Sequence, residues 1–172
     1  PMKYDLATIN YKVYEGKTNF CGIADITLPT LSFLTQTLNG VGISGNVDAV
    51  LIGQMDAMEM DINFNNTTTD TIKLSTPVRH SIEAHAALQL EDGTTGEEVI
   101  QHVKHVLVAI PKSMSGGTLA RASTGSPSGK YAVRYWAMYV DGVKQLELDP
   151  VNSVCYINGT DYLAPVRKAM GM

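Results

Sequence analysis

The histidines are the first residues in this chain with the chemistry to act. His80, Glu83 and His85 lie close together, and His102 and His105 follow after one polar turn. Imidazole and carboxylate are the usual ligands of zinc and its neighbours. A metal needs several such groups to converge. On a strand, side chains three or five positions apart point to opposite faces. His80 therefore faces away from both Glu83 and His85, and His102 away from His105. A cross-strand meeting of His85 with one of the later pair stays open. Ordinary surface or interface histidines are the favoured reading, and no metal or cofactor is expected.

A second candidate is "GSPSGKY", residues 125–131, which looks like a phosphate loop. A phosphate loop needs four residues between its glycines, then Lys and a Ser or Thr for the metal. Here three residues separate Gly125 from Gly129, and Tyr131 follows Lys130. A strand pattern comes next, where the motif needs a helix N-terminus. The stretch reads as a contact loop. No G-x-S-x-G elbow occurs, and neither Cys21 nor Cys155 has a catalytic signature. Each cysteine sits in an apolar, strand-like run and reads as a buried free thiol. "NNT", "NTT" and "NGT" match a glycosylation acceptor pattern, which carries little weight without a secretory signal. No enzyme is expected.

The carboxylates offer one ordered pattern. In "MDAMEMDINF", residues 55–64, Met58, Met60, Ile62 and Phe64 share one parity. Glu59, Asp61 and Asn63 share the other, with Asp56 just before them. That is a half-buried strand with an acidic outer face.

The elements that position these groups are mostly strands. "LATINYKVYEG" alternates and ends in a glycine turn, and "FCGIADITLP" reads as a second strand closed by Pro29. Residues 30–54 are rich in Thr and Gly, and their apolar positions make no helical stripe. They read as two arms of a long β-hairpin bent at Gly40, Gly42 and Gly45. An arm of about 10 residues reaches about 33 Å, so this one should project from the body. A projecting, weakly charged β-arm is an aggregation hazard unless a neighbour covers it. After the acidic strand, Thr69 or Asp70 caps a short helix over "TIKL", and Pro77 closes it. "SIEAHAALQL" places Ile82, Ala84, Ala86, Leu88 and Leu90 opposite Ser81, Glu83, His85, Ala87 and Gln89. "EDGTTGEE" is a hairpin turn, and "VIQHVKHVLVAIP" returns and stops at Pro111. Residues 112–130 carry no periodicity and read as a long polar loop, which usually has a job. "YAVRYWAMYV" and "VKQLELD" flank a "DG" hairpin, "SVCYI" adds a short strand, and a tail after Pro165 can be helical.

The bulk numbers agree with one domain. The chain has 172 residues, with 44% apolar and only 17% charged residues, the latter below the roughly 25% of ordinary soluble proteins. A low-charge surface suggests cover by other copies. The net charge of −4 and the lack of a basic run disfavour tight nucleic-acid binding. With no signal pattern and no membrane-length apolar run, folding in a reducing cytoplasm is expected. Residues 1–172 read as a single all-β domain with one or two short helices.

Three stretches carry a resemblance: "GIADITLPTLSFLTQTLNGVGISGNVDAVLIGQMDAMEMDINF" at 22–64, then "YWAMYVDGVKQLELD", then "INGTDYLAPVRKAMG". In that order they resemble the major tail tube protein of contractile-tailed bacteriophages, the P2-like family. The likeness spans nearly the whole chain and is least distinctive at 65–130. It implies a mainly β fold, a β-sandwich or barrel-like sheet pair with one short flanking helix and a long protruding β-hairpin arm. It implies hexameric rings whose inner strands join into one barrel, stacked into a hollow, DNA-conducting tube inside a contractile sheath. Implied partners are further copies of the chain, the sheath protein, the tape-measure protein, and baseplate and tail-terminator proteins. DNA would pass through without tight binding, and no membrane anchor is implied. The location implied is the virion tail, assembled in the host bacterial cytoplasm.

On that likeness Glu59, Asp61 and Asn63 are expected to line the channel, with Glu83, His85 and Gln89 as further candidates. Leu38, Gly40, Val41, Gly42, Ile43 and Gly45 would form the arm that meets neighbouring subunits or rings. Ser115, Gly116, Gly117, Arg121 and Lys130 would form a contact loop. An acidic lumen would let a polyanion slide. The alternative reading is the tube of a phage-tail-like bacteriocin or type VI-like injection system that carries no DNA. A small metal-dependent enzyme is the third.

Overall fold

The computed structural model describes residues 3–20 and 22–172; Cys21 lies outside the described residues, so its expected burial has no structural counterpart. The described chain runs β1 (Lys3–Glu15), β2 (Thr18–Phe20), β3 (Ile23–Thr27), β4 (Phe33–Leu38), β5 (Val47–Met55), β6 (Met58–Phe64), α1 (Thr69–Leu74), β7 (His80–Asp92), β8 (Glu98–Ser115), β9 (Ser128–Val140), β10 (Val143–Asp149), β11 (Val154–Ile157), β12 (Thr160–Asp161) and α2 (Ala164–Ala169). The expected mainly β fold is present, with two short helices.

Among the described residues, ten strands form one antiparallel sheet along β12-β11-β10-β9-β8-β7-β1-β2, with β6 added to β9 and β3 to β6. The long β9 takes β8 on one edge and two partners in series on the other. These are β6 along Ser128–Val133 and β10 along Trp136–Val140. The apolar parity of each strand makes the core. Met58, Met60, Ile62 and Phe64 of β6 are all buried, as the alternation of the sequence requires. They join Val13, Ile82, Leu107, Ala109, Tyr131, Val133, Leu148 and Cys155 in one cluster. Each buried Val, Leu, Ile, Met or Phe side chain of the cluster contributes about 1.5–3 kcal/mol on burial. The sheet curls over this cluster until β3 lies across from β1, where the Tyr11 hydroxyl donates to the Ala24 carbonyl at 3.1 Å. Burial, and then the nearby Asp25 carboxylate, raise the Tyr11 pKa.

Several sequence expectations change in detail. The run "FCGIADITLP" is two strands and not one. Gly22 takes a positive φ of 80°, and the chain changes partner there, from β1 to β6. Pro111 does not end its strand, because β8 continues to Ser115. The neighbouring β7 stops at His80, opposite Ala109, so β8 is an edge strand beyond that point and tolerates proline. The loop expected at 112–130 is correspondingly shorter, since β9 already begins at Ser128. The cap of α1 is Thr68, not Thr69 or Asp70. Thr68 is extended, its hydroxyl accepts from the Thr71 N–H, and the Thr71 hydroxyl accepts from the Thr68 N–H in return. In β1 two bulges fall within Asp5–Asn10, which breaks the expected alternation and leaves Leu6 and Ile9 exposed.

The 30–54 segment forms the expected hairpin. β4 and β5 pair only with each other, as a separate two-stranded sheet. Its base docks on the body, with Asp56 N–H donating to the Ser32 carbonyl at 2.8 Å and Gly53 against Leu163. Its outer part leaves Leu34, Leu38, Val41, Ile43, Val47, Val50 and Ile52 exposed.

Candidate functional site

Residues directly opposite one another across a ladder point to the same face. Glu59 and Asp61 of β6 lie opposite Ala132 and Lys130 of β9, and Asn63 lies opposite Ser128. Ala132 lies opposite Ile110 of β8. Farther along β8, on the parity of Ile110, Val106, Lys104 and Ile100 lie opposite Glu83, His85 and Gln89 of β7. All six residues expected to line a channel thus share one face of the curled sheet, the face turned away from the core. They form two separate patches on it.

The β6 patch is less acidic than the sequence suggests. Glu59 receives Lys112 Nζ at 2.6 Å and Lys130 Nζ at 3.4 Å, and Lys130 also lies 3.7 Å from Asp61. The hydrogen bonds from Lys112 and then Lys130 lower the Glu59 carboxyl below the usual range, and the bond to Glu59 raises Lys130. Asn63 donates its side-chain N–H to Asp25 of β3. Lys112 is not singled out by the sequence pattern, because Pro111 reads as the end of the strand. It is the extra residue of a bulge between the Pro111/Tyr131 and Ser113/Lys130 pairs, which frees it to reach Glu59.

The β7 patch gathers the histidines that parity left open. His85 Nδ1 lies 3.1 Å from His102 Nε2, and His85 Nε2 lies 3.2 Å from a Glu83 carboxylate oxygen. Tyr14 of β1 sets its ring edge-on against His85. Gln89 lies farther along β7 and does not join this cluster. The other two histidines turn inward. His80 is buried between the Glu15 carboxylate and the Thr76 carbonyl. His105 is buried and accepts from Trp136 Nε1 at 3.2 Å, and burial lowers its pKa below the ordinary value of 6.5. Among the described residues no group of three or more His, Cys, Asp or Glu side chains is placed to hold a metal.

The six arm residues lie at the outer end of the hairpin. Leu38 ends β4, and Gly40, Val41, Gly42, Ile43 and Gly45 make the tip between β4 and β5. All three glycines have positive φ, and the whole tip is exposed. The contact loop is only partly a loop. Ser115 ends β8 and Lys130 lies within β9, paired with Asp61, while Gly116, Gly117 and Arg121 lie between the strands. Its base is pinned: Thr118 N–H donates to the Gly125 carbonyl and Gly125 N–H to the Asn66 side chain. "GSPSGKY" enters β9 directly, so no helix N-terminus faces a phosphate.

The fold defined by these elements is a curled antiparallel sheet with a projecting two-stranded arm, and two solved structures are similar to it over about three quarters of the chain. One is a sheath/tube terminator of an extracellular contractile injection system, PVC, in the extended state. It has 12% identity and a TM-score of 0.54 over 79% of this chain and 97% of that chain. The other belongs to the sheath-tube complex of the same kind of system, with 12% identity and a TM-score of 0.50 over 75% of this chain and 87% of that chain. No curated protein matches the sequence. The sequence model of the phage tail tube protein FII family matches residues 7–171, and the chain belongs to that family. It is therefore a structural tail tube protein and not an enzyme, a part of a phage tail or a phage-tail-like injection particle.

Proposed function

We propose that this chain is the repeating subunit of the tube itself, assembled as stacked hexameric rings with the outward face of the curled sheet turned to a central channel. The observation that carries the reading is that Glu59, Asp61, Asn63, Glu83, His85 and Gln89 share one face of one continuous sheet. Side-by-side copies would extend that face around an axis, and closure would cover free strand edges. The arm, with its uncharged tip, covers and is covered by adjacent copies. The loop at 116–127 meets a neighbouring subunit or ring. The sheath, baseplate, terminator and tape-measure proteins are the partners proposed for such a tube, and DNA is the proposed cargo. A tube that carries no DNA is the second reading. The pairing of Glu59 with Lys112 and Lys130 favours it, because a charge-balanced wall is not specialised for repelling a polyanion.

Thiol labelling tests the channel. A Gln89→Cys variant is compared with the unaltered chain, as dispersed subunits and as assembled tubes. Small maleimides should label both states. A bulky polymer maleimide should label tubes far more slowly than subunits, because it cannot enter a narrow pore. Equal labelling of tubes by both reagents places this face outside and overturns the reading.

A further inference from the structure

We propose that the His85–His102 pair is a proton-gated binding site for the phosphodiester backbone of nucleic acid. The Glu83 carboxylate accepts at His85 Nε2, at 3.2 Å, so that nitrogen carries a hydrogen. His85 Nδ1 then offers a lone pair, and His102 Nε2–H donates to it across 3.1 Å. One added proton is compatible with this contact, since His102 can change tautomer and accept from a fully protonated His85. A second is not. Two imidazolium rings would present N–H to N–H, and the rings must part. Histidine is the side chain whose charge changes between about pH 5 and 8.

The surroundings decide what the extra charge does. Lys12 of β1 and Lys104 of β8 are the residues directly opposite His85 on its two neighbouring strands. Against them stand Glu83 and Asp141, whose carboxylate accepts from the His102 backbone N–H at 3.0 Å. Tyr14 packs edge-on against His85, and the Tyr139 ring lies beneath Lys104 Nζ. With neutral imidazoles, two cations meet two carboxylates. Protonating both rings leaves the patch with an excess of two positive charges, on an open groove also lined by Asn10, Lys12 and Tyr14. Phosphates bind such a cluster by releasing counterions, with a salt slope of about −0.9 per contact. The site stands on the sheet face itself. Its consequence, slower passage of DNA through an acidified channel, rests on the tube reading above.

Fluorescence anisotropy of dispersed subunits with a short labelled DNA duplex tests the site, at about pH 7.5 and about pH 5. The unaltered chain should gain at least about tenfold in affinity on acidification, with a salt slope steeper by about 1 to 2. His85→Gln and His102→Gln should each lose most of that gain. Protonation of carboxylates elsewhere acts on all three proteins alike. Variants that gain as much as the unaltered chain overturn the site. Imidazole nitrogen shifts by NMR give a second readout: His85 Nδ1 should show a bare lone pair at neutral pH and lose it at acid pH, and unchanged ring signals also overturn the site. Because no channel exists in dispersed subunits, these outcomes are independent of the tube reading. Binding that passes in subunits and vanishes in open tubes overturns the channel placement alone.

Discussion

At the scale of residues, Glu59 on the outward face is paired with Lys112 and Lys130, and the inward His80, His105 and Tyr131 each have a hydrogen-bond partner. Tyr131 shows what one inward group does. Its hydroxyl donates to the Leu74 carbonyl at 2.9 Å, which ties the end of α1 to the first part of β9. Burial pushes its pKa up to about 12, so it is neutral and a donor at any working pH. Tyr131→Phe leaves the Leu74 carbonyl without its partner and should cost about 1–3 kcal/mol. Urea unfolding should show a lower midpoint with an unchanged slope; an unchanged midpoint would show that the bond contributes nothing. Neither partner's meeting was legible in the sequence. Tyr131 lay in an obvious strand and Leu74 in an obvious short helix, but the contact joins positions 57 residues apart.

At the scale of elements, the arm is held by its base and free at its tip. Gly53 has a φ of 64°, and a Cβ there would lie 2.5 Å from the Leu163 side chain. Gly53→Ala therefore combines backbone strain with a clash and should destabilise the chain by about 1–3 kcal/mol. The same substitution should cost less in a Leu163→Ala background, and a double-mutant cycle reads the difference. Additive costs would show that the two residues do not bear on one another. The glycines of the tip were visible as breaks in the pattern. The Gly53 contact was not, because its partner comes from the last strand-to-helix junction of the chain.

At the scale of the whole molecule, His105 sets an acid limit on stability. It is neutral in the fold, accepting from Trp136, and burial lowers its pKa below 6.5. The unfolded chain therefore binds a proton there before the folded chain does. The contribution of neutral His105 to stability is full above about pH 6.5 and falls as pH drops toward the folded value, by up to about 1.4 kcal/mol per pH unit. His105→Gln keeps an acceptor for Trp136 and removes the titration. Its unfolding midpoint should change less between about pH 6.5 and 5 than that of the unaltered chain. Parallel curves for the two proteins would mean that His105 does not set this limit.

The alternation of Met58, Met60, Ile62 and Phe64 by itself determined a strand with a buried face, because period two is a property of the extended backbone and needs no partner. The Asp141–Gly142 hairpin and the glycine-rich arm tip were equally local, since positive φ is a demand on single residues. Tertiary structure alone decided which strands lie side by side. Register brought Lys112 to Glu59 and His102 to His85, broke the run around Gly22 between two partners, and let β8 run through Pro111. These outcomes depend on what occupies the facing edge, and an edge is shared between segments far apart in the chain.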